Sequence, residues 1–285
     1  MTRKKTTLGI AVIAVNEADR IGNLLKIAVF ADELIVVDSG STDGTQEICK
    51  SFGATVIYNK WLGYARQRNF AADQTHSDWI LHLDADEAVS EELAQEIRKT
   101  IETAPQETAA FSMPRLAWYL GRWIRHSGWY PDRKVRLVRK NCGVWEGELH
   151  EHLNVQGKIA QLRHPLYHYT YRGIWDHVVT SNKFSDIYAK DRGHAGRGFV
   201  LAGLIHAIGK FLECYVWKLG ILDGIPGLII AVNSAWYVFL KHAKAWELSL
   251  SEEKRMTNLI MNRTQAEIRI NRYLGENNAG LIPHR

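Results

Sequence analysis

Trp79-Ile80-Leu81-His82-Leu83-Asp84-Ala85-Asp86-Glu87 is an apolar stretch that runs directly into three carboxylates. Asp84 and Asp86 stand two positions apart, so both side chains point to the same side of an extended segment. Two carboxylates held that close repel each other, and a divalent cation removes the repulsion. Such a cation, held by one or two carboxylates, completes its coordination with water and substrate phosphates. The stretch therefore predicts Mg²⁺ or Mn²⁺ between the protein and a diphosphate, with an acidic turn before a helix as the alternative.

Two earlier strands are predicted to end in the same way. The apolar run Leu34–Val37 ends at Asp38 and continues into a turn of small residues, Ser39–Thr45. The run Leu8–Val15 ends in Asn16-Glu17-Ala18-Asp19. In open α/β sheets, ligands bind at the carboxyl ends of the parallel strands. We therefore expect the three strand ends to form one site.

Strands and amphipathic helices alternate along the first part of the chain. Helical periodicity begins at Ile21 and returns over Gly63–Ala72, whose basic face carries Arg66 and Arg68, and over Glu91–Ile101. This alternation is typical of a parallel sheet with helices on both sides. A dinucleotide-binding domain or a phosphate-loop NTPase is disfavoured, because the sequence has neither glycine motif at the required place.

Composition restricts the class of protein. A length of 285 residues allows a full α/β domain and a C-terminal addition. The formal net charge of +5 suits an anionic substrate or a membrane surface and is too small to indicate nucleic-acid binding. Cys49, Cys142 and Cys214 are far apart and lack zinc-site spacing, which indicates a reducing compartment.

The three strand ends together resemble the family-2 inverting glycosyltransferases of the GT-A fold. The family signature has a first strand ending near Asn-Glu, a Val-Asp-x-x-Ser-x-Asp-Gly-Thr loop and an Asp-x-Asp strand end, and all three occur here in order. The resemblance implies an α/β GT-A domain over residues 1–172, with a Rossmann-like mixed sheet flanked by helices. It also implies a metal-dependent transferase that uses a UDP-sugar, with UDP-glucose expected as the donor.

The resemblance assigns roles to individual residues. Asp84 and Asp86 would hold Mg²⁺ or Mn²⁺, and many GT-A enzymes add a histidine after the catalytic acid as a further metal ligand. His168 matches that histidine best, and His164 is the alternative. The residues expected to contact the nucleotide sugar are Asn16, Glu17, Asp38, Ser41, Asp43, Arg66, Asp84, Ala85 and Arg136.

Arg115–Lys140 is a basic and aromatic stretch. It has eight Arg or Lys residues against a single acid, Asp132. The aromatic residues interleaved with them include three tryptophans, Trp118, Trp123 and Trp129. Aromatic faces stack on sugars and arginine forks bind phosphate, so the stretch predicts a groove for a phosphorylated, sugar-bearing acceptor. Amphipathic packing with solvated charges is the alternative.

Val144–His152 is rich in carboxylates. An inverting transfer needs a base that takes the proton of the acceptor hydroxyl. Related enzymes place this base at an acidic residue after the basic loop, which makes Glu151 of the His150-Glu151 pair the first candidate. Glu148 is the second candidate and Glu146 the third. The alternative is a solvated acidic hairpin.

Residues 173–285 are expected to form a helical extension. Phe199–Leu240 is apolar with few charges, and Gly224–Leu240 carries none, but that run is slightly short for a bilayer span. Two helices lying in the membrane interface fit better, with tryptophans and a tyrosine at the depth of the lipid headgroups. A hydrophobic hairpin packed on the domain or on a second copy, giving a homo-oligomer, is the alternative.

Leu222-Asp223-Gly224 and the His-Glu and Pro-Leu-x-His elements resemble one branch of the family, the lipopolysaccharide-core β-1,4-glucosyltransferases. This implies a glycolipid (lipid A-core) acceptor and a peripheral or monotopic place on the cytoplasmic face of the bacterial inner membrane. A polyprenyl-phosphate sugar transferase would need no base. A sugar nucleotidyltransferase would need a glycine-rich loop after the first strand. A module that binds a UDP-sugar or lipid without catalysis would release no UDP.

Overall fold

The computed structural model describes residues 5–147, 151–192, 197–250, 254 and 259–269. Glu148, the second candidate base, lies outside the described residues. The strands are β1 (Leu8–Ala14), β2 (Glu33–Asp38), β3 (Thr55–Tyr58), β4 (Trp79–Asp84), β5 (Glu87–Val89), β6 (Thr108–Tyr119), β7 (Arg122–Ile124), β8 (Asp132–Arg139), β9 (Gly143–Glu146), β10 (His152–Val155), β11 (Lys158–Gln161) and β12 (Leu166–His168). The helices are α1 (Ile21–Ala28), α2 (Thr45–Ser51), α3 (Tyr64–Asp73), α4 (Glu91–Thr103), α5 (Ile174–Arg192), α6 (Arg197–Leu212) and α7 (Gly224–Glu247).

One mixed sheet contains ten of these strands. Its order is β3-β2-β1-β4-β8-β6-β12-β5, and β7 and β11 also pair with β6. β1 to β4 pair in parallel, whereas β8 is antiparallel to both β4 and β6. β9 and β10 form a separate antiparallel pair. The α/β architecture with a mixed sheet, predicted from the sequence, is confirmed.

The carboxyl ends of β1, β2 and β4 meet at one edge of the sheet. The register pairs Ala14 with Asp38 on one side of β1 and Ile13 with Asp84 on the other. The three strands are almost continuous apolar runs because both faces of a parallel sheet are covered. The fold thus brings the three predicted strand ends together.

Helices α1 and α4 pack their apolar faces into the main core. α1 buries four residues at helical spacing: Ile21, Leu24, Leu25 and Ala28. α4 begins after Ser90, whose side chain accepts a hydrogen bond from the Leu93 amide as an N-cap. Fixing these helices fixes the turns that precede them, because each turn is only a few residues long.

The chain divides into two compact units. The first contains the residues up to His177 together with Glu213–Ala231, and the second contains Val178–Leu212 and the chain from Val232 onward. The described residues of the second unit are mostly helical, as predicted for the C-terminal extension. Two segments, Gly198–Trp217 and Gly220–Glu247, are long and apolar enough to cross a membrane by length and composition alone.

Candidate active site

Asp84 lies at the end of β4 between two arginine side chains. Its Oδ1 is 2.5 Å from Arg68 Nη1, and its Oδ2 is 2.7 Å from Arg136 Nη2. Burial alone would raise the pKa of Asp84, but the charges of Arg136 and Arg68 outweigh it and hold the pKa well below its usual value. Asp84 is therefore ionised throughout the neutral pH range.

Glu87 and Trp145 hold the two arginines in place. Arg136 Nη2 also donates to Glu87 Oε1 at 2.8 Å. The guanidinium carbons of Arg68 and Arg136 lie 4.7 and 5.7 Å from the Trp145 ring centroid, within cation–π range. Both arginines are buried, and their Nε atoms have no hydrogen-bond partner among the described residues. Unpaired buried donors are costly, so these atoms are suited to an anionic ligand.

His82 lies in the middle of β4 and adds no charge to this cluster. Burial, together with the charges of Arg68 and Arg136, lowers the pKa of His82 to about 3. Its neutral Nδ1 accepts a hydrogen bond from Trp145 Nε1 at 3.2 Å. The imidazole therefore orients the tryptophan ring on which the arginines rest.

Asp86 lies in the turn after β4 and faces different partners. Its Oδ2 is 3.4 Å from His168 Nε2 and 3.5 Å from Arg20 Nη1. Arg20 forms a 2.6 Å ion pair with Glu17, which is predicted to contact the nucleotide sugar. Burial raises the pKa of Glu17, and Arg20 opposes this shift without overcoming it. Asp86 and His168, two of the three predicted metal ligands, thus lie within contact distance of each other.

The carboxylates of Asp84 and Asp86, with the imidazole of His168, have the donor chemistry for Mg²⁺ or Mn²⁺. Within the described residues, no three His, Cys, Asp or Glu side chains converge closely enough to hold a metal ion. Both Asp84 oxygens contact Arg68 and Arg136 instead. The residues fit a cation if these guanidinium groups turn from Asp84 toward a bound diphosphate.

The loop after β2 is held by its own side chains and backbone. Asp38 is fully buried and accepts hydrogen bonds from the amides of Gly40 and Ser41, each at 2.9 Å. It also accepts one from Gln46 Nε2 at 2.7 Å. Asp43 receives a hydrogen bond from the Thr45 side chain, which lowers the pKa of Asp43.

The loop after β1 is bonded to this second loop. Asn16 has a positive φ of 54°, and its side-chain oxygen accepts the Thr42 amide at 2.9 Å. The Asn16 amide donates to Ser41 Oγ, also at 2.9 Å. The side chain of Ala85 is buried in the core, so any contact of Ala85 with the nucleotide sugar is made by its backbone. The residues of the first two strand ends that are predicted to contact the nucleotide sugar therefore lie side by side.

A cavity of about 380 Å³ opens beside Asp84. Its lining consists of Arg68, Asp84, Arg115, Arg133, Lys134, Val135, Arg136, Trp145, Glu151, His152 and Leu153. Glu151 Oε1 is 3.5 Å from Arg68 Nη2, so one guanidinium group connects the candidate base with Asp84. Base candidate, strand-end aspartate and several cations thus share one cavity.

Two alternative candidates lie elsewhere. Glu146 is exposed, accepts a hydrogen bond from Asn154 at 3.2 Å, and is absent from the cavity lining. His164 pairs with Glu96 at 2.9 Å rather than with Asp86. Among the described candidates, the geometry favours Glu151 as the base and His168 as the metal ligand.

The tryptophans of the basic stretch pack mainly on other rings. Trp123 stacks on Tyr167 at 4.4 Å between centroids, and Trp118 meets Trp123 edge-on at 5.0 Å. Trp129 packs against Tyr119 at 5.5 Å in a small buried cluster. The basic residues Arg115, Arg133, Lys134 and Arg136, by contrast, line the cavity.

Arg68 is the site residue that the sequence analysis did not select. The predicted donor contact Arg66 is exposed on α3, whereas Arg68 is buried against Asp84. A signal was present, because Arg68 lies three residues from both Ala65 and Ala71, which face the core. Arg68 therefore lies on the face of α3 that packs against the core, whereas Arg66 lies on the exposed face.

Comparison with known proteins gives relatives along most of the chain. An uncharacterized glycosyltransferase of Rickettsia prowazekii (strain Madrid E) is 30% identical over 262 residues, covering 87% of this chain and 89% of the relative. The lipopolysaccharide core biosynthesis glycosyltransferase LpsC of Rhizobium meliloti (strain 1021) is 25% identical over 256 residues, covering 85% and 93%. The branch within the family remains a prediction.

The solved structure of the mannosyltransferase PcManGT from Pyrobaculum calidifontis, in complex with GDP-Man and Mn²⁺, has the same fold. The two chains are 15% identical, and the match covers 85% of this chain and 88% of the mannosyltransferase chain. They superpose with a TM-score of 0.50. The predicted GT-A fold is confirmed. The model of the family described as Glycosyl transferase family 2 matches residues 9–152. The chain belongs to glycosyl transferase family 2.

Proposed function

We propose that this protein is an inverting transferase that moves glucose from UDP-glucose to a lipopolysaccharide inner-core or related glycolipid acceptor, forming a β-linkage. The observation that carries the proposal is the cavity that Asp84 and Glu151 share, with Arg68 contacting both carboxylates. In an inverting reaction, the donor diphosphate and the base lie on opposite sides of the anomeric carbon. The presence of Asp84 and Glu151 on the walls of one cavity supports this arrangement.

The donor would lie along the strand ends. Asn16, Glu17, Asp38, Ser41 and Asp43 would contact the uridine and ribose, and the hydrogen bonds between their two loops support this. The diphosphate would lie at Asp84, where the buried Nε atoms of Arg68 and Arg136 have no partner among the described residues. Charge-assisted bonds from arginine are the strongest that a phosphate can receive.

Asp84, Asp86 and His168 would hold Mg²⁺ or Mn²⁺. The cation would neutralise charge that grows on the departing UDP. Mn²⁺ is present in the mannosyltransferase complex that has the same fold. Arg68 and Arg136 would pass from Asp84 to the phosphates when donor binds, which leaves the Asp84 oxygens for the cation.

Glu151 would take the proton of the attacking acceptor hydroxyl. Its carboxylate lies 3.5 Å from Arg68 Nη2 on the wall of the cavity, where an acceptor hydroxyl could reach it. Arg115, Arg133 and Lys134 on the same wall would bind phosphate groups of the acceptor. A phosphorylated glycolipid fits this charge, and LpsC acts in lipopolysaccharide core biosynthesis. Such an acceptor places the protein at the cytoplasmic face of the inner membrane.

A panel of UDP- and GDP-sugars, scored by nucleotide release with and without lipid A-core acceptors, tests the function. We expect release from UDP-glucose that depends on the acceptor, with a β-linked product. Release with polyprenyl phosphate instead would support the polyprenyl-phosphate transferase. Binding of UDP-glucose without release for any acceptor would leave a non-catalytic module.

A further inference from the structure

Trp217–Leu228, here called the apolar loop, presents apolar side chains to solvent. It connects α6 to the first turn of α7 and belongs to the same compact unit as the catalytic sheet. Trp217 and Ile225 are 71% and 74% exposed. Four further apolar side chains are exposed: Leu219, Ile221, Leu222 and Leu228. A cluster of this kind marks a surface for a partner or a membrane.

A buried carboxylate fixes the apolar loop to the segment after β7. Asp223 is fully buried and accepts hydrogen bonds from the His126 amide at 2.9 Å and the Arg125 amide at 3.4 Å. His126 Nδ1 lies 3.1 Å from the same carboxylate. A buried charge is tolerated only when it is bonded in this way. The apolar loop therefore has a defined shape even though its side chains face solvent.

Two glycines make the apolar loop compact. A Cβ on Gly227 would lie 1.9 Å from the backbone oxygen of Gly220. A Cβ on Gly220 would lie 2.5 Å from Ser127 Oγ, in the same segment that bonds Asp223. The Ser127 amide also donates to the Lys218 carbonyl at 2.9 Å. Close packing of backbone on backbone therefore holds apolar side chains outward.

The apolar loop and the segment that anchors it carry more basic than acidic residues. Asp223 is the single acid of the loop and is fully buried, and Lys218 is partly exposed and pairs with Glu213 at 2.5 Å. Arg122 and Arg125, on the segment that anchors the loop, are exposed as well. Exposed tryptophan, aliphatic side chains and nearby cations are the combination that binds an anionic bilayer surface.

The apolar loop is close to the catalytic cavity along one strand. Arg115 lines the cavity on β6, and Tyr119 of the same strand pairs with Arg122 beside the loop anchor. Tyr119 lies four positions after Arg115 in the strand, which is about 13 Å. A lipid surface that contacts the loop would thus lie within reach of a glycolipid whose sugar enters the cavity.

We infer that the apolar loop inserts Trp217, Leu222 and Ile225 into the headgroup region of an anionic bilayer and so positions the cavity at the membrane. This inference deepens the proposed function by naming the lipid surface as the partner of the catalytic unit. It is tested without donor or acceptor, so its failure is distinct from a failure of the proposed activity.

The test is flotation of the full-length protein with vesicles of phosphatidylethanolamine and phosphatidylglycerol, beside vesicles of phosphatidylcholine alone. Leu222→Asp and Ile225→Asp are each expected to weaken partitioning about 10-fold or more, since each puts a charge in place of an exposed aliphatic side chain that the bilayer would cover. Val29→Asp is the matched control, because Val29 is an 81% exposed aliphatic residue in the same unit. We expect Val29→Asp to bind like the wild type. Wild-type partitioning of both loop variants would overturn the inference.

Quenching by brominated lipid provides a second measurement, made on the wild type and on variants that replace a single tryptophan by phenylalanine. We expect the quenched part of the fluorescence to fall in Trp217→Phe and to persist in the control Trp79→Phe, because Trp79 is fully buried in the core. Equal quenching of Trp217→Phe and the wild type would overturn the inference. A loop that joins two copies would also overturn it, and would appear as a wild-type dimer that Ile225→Asp converts to a monomer without any change in vesicle binding.

Discussion

Asp38 and Asp84 end the two strands that flank β1 in one sheet, but different parts of the chain hold their carboxylates. The partners of Asp38 are Gly40, Ser41 and Gln46, all within eight residues of it. The partners of Asp84 are Arg68 and Arg136, which come from α3 and β8. The first aspartate shapes a loop with neutral donors, whereas the second meets two cations. An equivalent position in the sheet therefore gives one carboxylate bound by neutral donors of its own loop and one held by two cations from other elements.

The strongest test of this difference is to neutralise each strand-end carboxylate in turn. Asp84→Asn and Asp86→Asn should abolish transfer, because an amide oxygen is a weak ligand for a hard cation. Asp84→Asn should also lower the free energy of unfolding, by about 3 kcal/mol, because it leaves two buried arginines without that counter-charge. UDP release and thermal unfolding measure the two effects.

Asp38→Asn is the matched control for the metal. It should weaken UDP binding by loosening the loop, but the residual activity should still require Mg²⁺ or Mn²⁺. Excess chelator should silence the wild type, with either cation restoring it. Undiminished transfer in excess chelator would show that Asp84 and Asp86 have no metal role.

Replacing the candidate base tests Glu151, the second carboxylate that Arg68 contacts. Glu151→Gln removes the proton acceptor and keeps the side-chain volume, so turnover should fall about 10²–10⁴-fold with little change in UDP-sugar affinity. Glu146→Gln should stay near the wild type, because Glu146 lies outside the cavity lining. Steady-state kinetics with saturating acceptor provides the measurement.

Glu148→Gln completes that series. A dead Glu148→Gln beside an active Glu151→Gln would move the base to Glu148. Activity in all three variants would favour transfer to a polyprenyl phosphate, whose acceptor oxygen is already ionised.

A milder change compares two basic residues of one helix. Arg68→Lys should reduce kcat/KM about 10- to 100-fold, because lysine has no planar fork to contact Asp84 and Glu151 together. Arg66→Lys should change it by a small factor, because Arg66 is exposed. The same ranking should appear in UDP affinity measured by calorimetry. Equal losses for the two variants would support the predicted contact between Arg66 and the nucleotide sugar.

The sequence predicted the local half of this site because its interactions are local. The order of strands and helices follows from hydrophobic periodicity, and the Ser39–Thr45 turn follows from residue types that favour turns. Asp38 accepts hydrogen bonds from side chains and amides a few positions away, so its placement is already implied by the motif. Asp43 bonds Thr45 in the same way and also accepts the Ala18 amide of the first strand end.

The Asp84 half depends on distant contacts that periodicity does not reveal. Arg136 reaches Asp84 because β8 pairs antiparallel with β4, and single-sequence patterns do not specify that pairing. Arg68 and Arg66 differ in sequence only by their position on the helix, and the packing of α3 decides between them. The same holds for the C-terminal part, where Glu213–Ala231 joins the catalytic unit although its composition resembles the rest of the extension.

The smallest predicted effect tests the local half directly, at the glycine that closes the Asp38 loop. Gly44 has φ of 92°, and a Cβ there would meet nothing within 4 Å, so Gly44→Ala carries backbone strain without a clash. We expect a loss of about 1 kcal/mol in the free energy of unfolding. Gly22→Ala in α1 is the opposite control: it also meets nothing within 4 Å, and alanine favours a helix, so it should gain up to about 1 kcal/mol. Urea denaturation compares them, and a Gly44→Ala protein as stable as the wild type would mean that this turn is not fixed by its left-handed residue.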